Sequence, residues 1–579
     1  MNRDFNFVIQ DLYNLIHCSN DIIHILSKIN EYKKELNIDG KGSFGDYYYR
    51  SLKNKKEKGV VYTPLSLANL IIKESITQED VIQNPFMKIL DPSCGCGNIL
   101  IPCYKHLKTI YINNLDIINE NHNLSLDISN IGCHILQNNI YGFDIDEFAL
   151  KILNIDMFIE EPLNLKLNLE FKDFLADFIN ADFDIIIGNP PYVGHKMVNK
   201  EYVYLLKQNF DEVYNNKGDI YYCFFKRAYE IGKKNCKVSF ITSRYFIEAQ
   251  SAMNLRNYIN SKFNIMMLID FYGIRPFKNI GVDPCIIFLQ KRVEDIKENF
   301  IKVCRFKNVE EANDLIIREK CSYYYINQKE LKDSIWILAH EKEKAIIEKI
   351  ERKCSNKLID ISYSCQGIIT GCDKAFILDK SNIHNILIEK DLLKPWIKST
   401  DIEKGRVKGN TKLLIYSDDI INLEEYPVFL THVIAFKEKL ENRRECKKGI
   451  RPWYRLQWGR KSEIFNREKI IFPYKSKHNR FAIDKGNYFS ADVYAIILKN
   501  EHYDYEKLVR LLNCDIYEFY LKCILKKLGE DIYEYYPNKI MEASIPEFNV
   551  INSFNSEEII YQYFDFTEEE LNIISSKIK

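Results

Sequence analysis

The sequence predicts an α/β fold in which a doubly wound, seven-stranded sheet is followed by a C-terminal α+β domain. Three observations support this prediction. Short β-rich runs alternate with helical segments between about residues 60 and 295, several of these runs end in an acidic or amide side chain, and the pattern loses its regularity after about residue 306. Such alternation is typical of a largely parallel sheet with helices on both faces.

The composition is that of a globular protein with more than one domain. Of the 579 residues, 46% are hydrophobic and 28% are charged, and no apolar run approaches the ~18 residues that a membrane span needs. Asp4 and Asp11 lie where a secretory signal would be basic and then purely apolar. We therefore expect a cytoplasmic protein with an N-terminal helical segment (1–45), a sheet domain (46–305) and a second domain (306–579).

Seven β-rich runs define the expected sheet. They cover residues 87–90, 139–146, 169–175, 183–189, 237–242, 265–273 and 284–291. Only ten residues separate the last two runs, which is too short for a helical crossover, so the seventh strand should be antiparallel. Ligands of such sheets bind beyond the carboxyl ends of the strands. The residues that follow the runs are therefore candidates for a functional site.

A carboxylate and a glycine-rich turn follow the first run. Asp91 precedes the segment SCGCGN (93–98), in which Gly95 and Gly97 allow a ligand to approach the backbone closely. No Gly-Lys-Ser/Thr follows, and the third glycine of the dinucleotide fingerprint is missing. The two cysteines of this turn have no Cys or His partners at zinc spacing. We expect them to be small turn residues and expect no metal.

The next two runs also end in acidic side chains. Asp144 can accept hydrogen bonds from both hydroxyls of a ribose. Asp173 can accept from an adenine amine, and Phe174 can cover the ring. Taken alone, each residue is better explained as a solvated acid or a core aromatic. Three such strand ends in succession favour a cofactor that contains a nucleoside.

The fourth run ends in Asn189-Pro190-Pro191-Tyr192. With the three acidic strand ends, this tetrapeptide resembles the motif of S-adenosylmethionine-dependent methyltransferases that act on amino groups, whose sheet is Rossmann-like. The resemblance implies that S-adenosylmethionine lies over the first three strands. The cofactor-binding residues that it implies are Tyr62, Thr63, Asp91, Gly95, Gly97, Asp144, Ile145, Asp173, Phe174 and Asn189.

The chemistry of an adenine amine gives the tetrapeptide a role. The amine is a poor nucleophile because its lone pair is delocalised into the ring, and no side-chain base matches its pKa. The Asn189 side-chain oxygen and the Pro190 carbonyl can instead accept its two N–H groups and turn the lone pair toward the methyl donor. Tyr192 offers a stacking face worth roughly 1–3 kcal/mol. A base must leave the duplex to reach such a site, and the resemblance implies that Phe277 stacks on its other face.

A basic segment in the second half indicates a polyanionic partner. Lys/Arg and Asp/Glu balance at 81 each over the chain, but the 48 residues from Ala435 to Ala482 hold fifteen Lys/Arg against five Asp/Glu. Interleaved cations and aromatic rings can contact phosphates and stack on bases, and a solvated basic face is the alternative. The residues that we expect to contact DNA are Arg443, Arg444, Lys447, Lys448, Arg451, Trp453, Tyr454, Trp458, Arg460, Tyr474 and Lys475.

The order of these features resembles the γ class of DNA adenine-N6 methyltransferases, which carry a TaqI-like specificity domain after the catalytic motif. Segments such as QGIITGCDKAFIL (366–378) and KLENRRECKKGIRPWYRLQWGR (439–460) closely resemble a clostridial member of this class. The resemblance implies a site-specific enzyme that methylates a flipped-out adenine in double-stranded DNA. We expect a monomer, associated with the nucleoid and without a fused nuclease.

Two alternatives stay open. Asn-Pro-Pro-Tyr also occurs in enzymes that methylate protein glutamine or RNA guanine, so the chain could be an RNA or protein amine methyltransferase. It could also be a catalytically silent DNA-binding protein that keeps the fold. The DNA recognition sequence is not predicted, because base readout depends on which side chains enter which groove.

Overall fold

The computed structural model describes residues 4–40, 42–52, 62–194, 197–215, 218–275, 283–294, 298–306, 310–312, 322–333, 335–381, 388–409, 411–529 and 531–578. The chain forms two compact units, Met1–Leu338 and Ala339–Lys579. Over the described ranges, no helix is long and apolar enough to cross a membrane. Each unit has its own hydrophobic core.

The first unit is built on one mixed β-sheet with helices on both faces. Its described strands are β1 (Ile89–Asp91), β2 (Ile140–Asp144), β3 (Asn168–Phe171), β4 (Phe183–Gly188), β5 (Gly232–Ser243), β6 (Phe263–Asp270), β7 (Pro284–Lys291), β8 (Phe300–Arg305) and β9 (Tyr324–Asn327). Its described helices are α1 (Phe5–Cys18), α2 (Ile22–Glu35), α3 (Phe44–Ser51), α4 (Leu65–Ser75), α5 (Gln78–Gln83), α6 (Leu100–Asn113), α7 (Leu115–His122), α8 (Ile131–Asn138), α9 (Glu147–Glu160), α10 (Lys200–Asn209), α11 (Tyr221–Ile231), α12 (Tyr245–Glu248) and α13 (Met253–Lys262).

The strand order is β3-β2-β1-β4-β5-β7-β6-β8-β9. The strands from β3 to β5 are parallel neighbours. β7 runs antiparallel between β5 and β6, which confirms the prediction for the seventh strand. β8 and β9 extend the sheet beyond the seven predicted strands. The expected domain boundary at 305/306 lies too early, because β9 still belongs to this sheet and the second unit begins at Ala339.

Side chains of the central strands alternate between two apolar cores. Ile186 of β4 joins a cluster with helix α11, whereas Ile185 and Ile187 face a second cluster with helices α4 and α6. A period of two residues places successive side chains of a strand on opposite faces. Both faces are covered by helices, which is why the central strands are almost continuously apolar.

The predicted N-terminal helical segment forms a pair of helices, α1 and α2, that packs on helix α9. Asp4 and Asp21 cap α1 and α2 by accepting backbone N–H groups. The apolar faces of both helices form a small core with Ile152 and Ile155 of α9. The first 45 residues are therefore part of the first unit.

The second unit is an α+β domain, as predicted, with several small sheets. Its described strands are β10 (Asn356–Lys357), β11 (Ser362–Gln366), β12 (Ile377–Asp379), β13 (Leu393–Ile397), β14 (Ile402–Glu403), β15 (Arg406–Val407), β16 (Lys412–Ile415), β17 (Lys469–Pro473), β18 (Lys475–Ser476), β19 (Ala482–Asp484), β20 (Tyr488–Phe489), β21 (Val493–Leu498), β22 (Lys526–Leu528), β23 (Ile532–Glu534) and β24 (Ser544–Ile545). Its described helices are α14 (Glu341–Arg352), α15 (Leu358–Ile361), α16 (Asp373–Phe376), α17 (Pro427–Val433), α18 (Lys437–Glu441), α19 (Arg444–Lys447), α20 (Glu463–Asn466), α21 (Tyr505–Asn513), α22 (Asp515–Ile524), α23 (Pro537–Ile540), α24 (Phe548–Asn552), α25 (Glu557–Phe564) and α26 (Glu568–Ile578). Two four-stranded sheets, β11-β21-β17-β19 and β12-β16-β13-β20, share one apolar core.

Candidate active site

A cavity of about 450 Å³ opens at the carboxyl ends of β1 to β4. Each of these strands contributes residues that directly follow it, as ligand binding in a parallel sheet requires. Of the ten predicted cofactor-binding residues, all except Gly97 line this cavity. The nine are Tyr62, Thr63, Asp91, Gly95, Asp144, Ile145, Asp173, Phe174 and Asn189.

Asp91 is almost completely buried where β1 ends, with 2% of its surface exposed. Its Oδ1 accepts a hydrogen bond from the backbone N–H of Ser93 (3.0 Å). Gly188 of β4 leaves room for this carboxyl, because a Cβ there would lie 3.0 Å from Asp91 Oδ1. Burial raises the pKa of Asp91 to about 8, and the charge of Asp144 adds to this rise. A cationic ligand group would favour the ionised form of such an acid.

The glycine turn after β1 reaches across to the end of β2. Gly95, at φ +50°, donates its N–H to Asp144 Oδ2 (2.7 Å), and the N–H of Asp146 donates to Oδ1 (2.8 Å). These bonds orient the carboxylate, and each of its oxygens can accept a further hydrogen bond. Gly97, at φ +85°, has a different role: a Cβ there would lie 2.2 Å from Leu153 of α9. Gly97 therefore allows the turn to pack on that helix and does not line the cavity.

The end of β3 contributes Asp173 and Phe174 to the wall. The Tyr202 hydroxyl of α10 lies 3.0 and 2.9 Å from the two carboxylate oxygens of Asp173. Phe174 packs on Phe224 of α11 with ring centroids 5.0 Å apart, so it is both a core aromatic and a wall residue. Sequence reasoning missed Tyr202 and Phe224, because helices supply them from later in the chain and no local motif marks them.

The Asn189 amide is held on both sides. Its Nδ2 donates to Thr63 Oγ1 (3.1 Å), and its Oδ1 accepts from the Tyr192 hydroxyl (2.6 Å). That hydroxyl also lies 3.1 Å from the carbonyl oxygen of Ile241 in the neighbouring β5. The partly buried Tyr192 ring meets the edge of Tyr221 at a centroid distance of 6.1 Å. The sequence predicted a stacking face for Tyr192, and the contact of its hydroxyl with Asn189 is an additional role.

Asp219 anchors the chain directly after the tetrapeptide. Its Oδ1 accepts the N–H of Val193 (3.1 Å), and Ile220 donates its N–H to the Val193 carbonyl (3.3 Å). Burial raises the pKa of Asp219 to about 6. Phe277, predicted as the second ring for the target base, lies outside the described residues.

Arg443 of the basic segment is engaged within the protein. Its guanidinium donates to the backbone carbonyls of Leu440 (3.0 Å), Thr370 (3.1 Å), Trp453 (2.7 Å) and Arg455 (2.8 Å). Arg443 therefore uses most of its donors to hold the segment in shape, and its role as a DNA contact stays a prediction.

Three other residues predicted to contact DNA also make polar contacts within the protein. Arg451 Nη1 pairs with Asp418 Oδ2 (2.7 Å), and Arg460 donates to the carbonyl of Gly367 (3.2 Å) and to Gln366. The Tyr474 hydroxyl donates to Glu534. Among the remaining predicted DNA contacts, three aromatic side chains are half-buried: Trp453, Tyr454 and Trp458. Four cationic side chains are exposed: Arg444, Lys447, Lys448 and Lys475.

The two cysteines of the glycine turn, Cys94 and Cys96, are poorly exposed thiols. Within the part of the chain that the structure describes, no group of three or more His, Cys, Asp or Glu side chains could hold a metal ion. Cys94 is 4% exposed, and burial raises the pKa of the Cys94 and Cys96 thiols well above the usual value.

Three family models match the chain. The MmeI DNA-methyltransferase domain matches residues 79–179, and the Eco57I restriction-modification methylase matches residues 138–277. Both ranges contain strand ends that line the cavity. The TaqI-like C-terminal specificity domain matches residues 394–546, which include the basic segment.

Relatives extend this similarity over most of the chain. The Type II methyltransferase M.BstVI of Geobacillus stearothermophilus is 23% identical over 552 residues, covering 90% of this chain and 95% of the relative. The Type II restriction enzyme and methyltransferase RM.Eco57I of Escherichia coli is 24% identical over 520 residues, covering 75% of this chain. Those residues are 51% of RM.Eco57I, so the chain spans about half of that protein.

The fold is similar to that of a solved restriction-modification enzyme. The structure of the Type IIL enzyme MmeI in complex with DNA superposes with a TM-score of 0.62 at 15% identity, covering 92% of this chain and 77% of that one. The methylase match lies in the first unit and the specificity-domain match in the second. The chain is therefore similar to restriction-modification methylases, with an Eco57I methylase match in the first unit and a TaqI-like C-terminal specificity-domain match in the second.

Proposed function

We propose that this chain is a site-specific DNA methyltransferase that transfers a methyl group from S-adenosylmethionine to the exocyclic amine of an adenine flipped out of duplex DNA. One observation carries the proposal. Asn189 lines the same cavity as Asp91, Asp144 and Asp173, so an amine acceptor and the acids expected for the cofactor surround one space.

The residues of this cavity fit S-adenosylmethionine. Asp91 is a buried acid whose ionised form a cationic ligand group would favour. Asp144 presents an oriented carboxylate suited to ribose hydroxyls. Ile145, which is 71% exposed beside it, and Phe174 supply apolar surface for a base. When bound, the cofactor supplies a methyl group activated by its sulfonium.

The chain's own contribution to the transfer is to position the amine. The Tyr192 hydroxyl takes up one lone pair of Asn189 Oδ1, and the other can accept an N–H of the target amine. The Pro190 carbonyl can accept the second N–H, since proline brings no competing backbone donor. Because Thr63 and Tyr192 hold the amide in advance, little reorganisation is needed when charge develops on the nitrogen.

DNA recognition is proposed for the second unit. The exposed cations Arg444, Lys447, Lys448 and Lys475 can contact phosphates without disturbing the fold. The similarity to a TaqI-like specificity domain and to proteins named as Type II methyltransferases supports DNA as the substrate. We further propose that the enzyme acts as a cytoplasmic monomer and that methylation does not depend on a fused nuclease.

The test supplies methyl-labelled S-adenosylmethionine to the full chain with long duplex DNA of mixed sequence, the same DNA denatured, RNA, or a protein mixture. We expect label in duplex DNA, recovered as N6-methyladenine after digestion to nucleosides, and none with the Asn189→Ala variant. Label in RNA or protein alone would select the alternative amine methyltransferases. Cofactor binding without transfer to any substrate would select the silent DNA-binding protein.

A further inference from the structure

One wall of the cavity comes from a helix that precedes every predicted motif. Tyr48 and Tyr49 of α3 line the cavity together with Gly45. Tyr62 also lines the cavity, and its ring centroid lies 5.0 Å from that of Tyr49. The N-terminal region therefore contributes an aromatic surface to the same space as the strand-end acids.

Helix α3 is fastened to α9 at its first turn. The buried Asp156 of α9 accepts the N–H groups of Phe44 (3.0 Å) and Gly45 (2.8 Å). Gly45 permits this approach, because a Cβ there would lie 2.9 Å from Cys96 Cβ and 3.2 Å from Asp156 Oδ2. Asp156 is 3% exposed, so both of its oxygens depend on partners within the protein.

Two tyrosine hydroxyls fasten the rest of the helix to the cavity. Tyr48 donates to Asp146 Oδ2 (2.8 Å), and Asp146 in turn donates its N–H to Asp144. Tyr62 donates to Asp46 Oδ1 of α3 (2.8 Å). Through Asp146, the first of these bonds connects the α3 wall to Asp144, the carboxylate proposed for the ribose.

The helix pair α1 and α2 stabilises this arrangement from behind. It packs on the α9 residues Ile152, Ile155 and Phe158, and its core also includes Phe44 of α3. The same helix α9 thus carries the apolar contacts of the pair and the carboxylate that binds the start of α3.

We propose that α3 is a cap on the cofactor cavity, and that Asp156 and the Tyr48 hydroxyl are positioning residues that keep the cap closed over bound S-adenosylmethionine. The proposal rests on the proposed cofactor. The cap slows cofactor release and takes no part in transfer, since the Tyr48 hydroxyl binds Asp146 and the Asp156 carboxylate binds the start of α3. Opening the cap should therefore weaken cofactor binding and leave the rate at saturating cofactor largely unchanged.

The test compares Tyr48→Phe and Asp156→Asn with Tyr32→Phe. Tyr32→Phe is a matched control, because it also removes a bond from a tyrosine hydroxyl to a carboxylate, that of Asp11 (2.5 Å), but within the α1–α2 pair. Affinity for S-adenosylmethionine and S-adenosylhomocysteine is measured by calorimetry, with KM and kcat on duplex DNA and amide exchange of residues 44–51.

Tyr48→Phe and Asp156→Asn should each weaken the binding of both ligands by about tenfold and raise the KM for the cofactor by a similar factor. Both should change kcat by less than about twofold. In the wild type, cofactor should slow amide exchange over residues 44–51, and both variants should lose part of that protection. Tyr32→Phe should behave like the wild type. If Asp156→Asn fails to fold, Tyr48→Phe, which leaves no buried donor unpaired, decides alone.

Native cofactor affinity in folded Tyr48→Phe, or an equal loss of cofactor affinity in Tyr32→Phe, would overturn the proposal of a cap and leave the proposed function intact. A loss confined to kcat would also overturn it. Absence of any cofactor binding by the wild type would remove the proposed function and the cap together.

Discussion

The cavity of the first unit and the basic segment of the second hold their charged groups in opposite ways. In the cavity, the Asp144 carboxylate accepts the backbone N–H groups of Gly95 and Asp146 and keeps further lone pairs for a ligand. In the basic segment, the Arg443 guanidinium donates to four backbone carbonyls. The first arrangement orients a charge toward a ligand, whereas the second uses the charge to stabilise the chain.

The two regions therefore demand different tests. Groups in the cavity are fixed before a ligand arrives, so a single substitution there should have a large effect on one step, either cofactor binding or methyl transfer. The exposed cations of the basic segment act through charge and number, so their effects should add and should depend on salt. Predictions for the two regions separate these modes of action.

The largest effect is expected in the cavity. Asn189→Ala removes the acceptor that matters most as the amine nitrogen becomes positively charged, so kcat should fall about a hundredfold or more with little change in KM, corresponding to ~2.7–4 kcal/mol. Single-turnover methylation of duplex DNA measures this loss. A near-native rate for the folded variant would mean that the amide is not part of the reaction.

The second effect concerns the basic segment. The triple change of Arg444, Lys447 and Lys448 to alanine should weaken DNA binding and flatten its dependence on salt, with the log–log slope falling by about 0.9 for each lost phosphate contact. Cofactor affinity should stay native. An unchanged slope would show that DNA does not contact these cations.

Arg443→Ala is the matched control for the triple change. It removes one positive charge from the same segment, but that charge holds backbone carbonyls. We expect a loss of about 1.5–3 kcal/mol in the free energy of unfolding, with a salt slope close to that of the wild type. A flattened slope at native stability would show that Arg443 contacts DNA.

The contrast between the regions also explains what the sequence could predict. Asp91, Asp144 and Asp173 could be identified because parallel strands bring their carboxyl ends to one edge, so local sequence position fixes spatial position. Tyr202 could not, since nothing local relates α10 to the end of β3. The role of Arg443 was equally hidden, because net charge does not reveal whether a guanidinium already has acceptors.

Element boundaries show the same limit. The antiparallel direction of β7 followed from a short connection, which is a local property. β8 and β9 were missed because the pairing of β8 with β6 and of β9 with β8 depends on tertiary contacts. The α3 wall of the cavity was missed for the same reason: Asp156, which binds the start of α3, lies far along the chain.

A third effect links the cavity to pH. The pKa of Asp91 in the free protein is raised to about 8 by burial, and a cationic cofactor should lower it. Binding of the cofactor below that pH must then release a proton. Cofactor affinity should therefore rise with pH by at most tenfold per pH unit up to about pH 8, and level off above it.

Calorimetry in buffers of different ionisation enthalpy measures the released proton. Asp91→Asn is the control, because the pH dependence that persists in it comes from the amino group of the cofactor itself. Equal proton release in the variant and the wild type would contradict the assignment to Asp91.

The smallest effect, and the sharpest test of the held amide, is expected for Tyr192→Phe. The change keeps the ring face proposed for base stacking and removes only the hydroxyl that donates to Asn189 Oδ1 at 2.6 Å. The loss of one neutral hydrogen bond is worth about 0.5–1.5 kcal/mol, so kcat should fall roughly two- to tenfold.

Tyr192→Ala should lose far more, in base capture as well as in rate, because this change also removes the stacking face. If orientation of the amide is the role of the hydroxyl, its removal should have little further effect once Asn189 is alanine, which a double-mutant cycle in single-turnover experiments would show. Additive losses in that cycle would mean that the hydroxyl acts independently of Asn189.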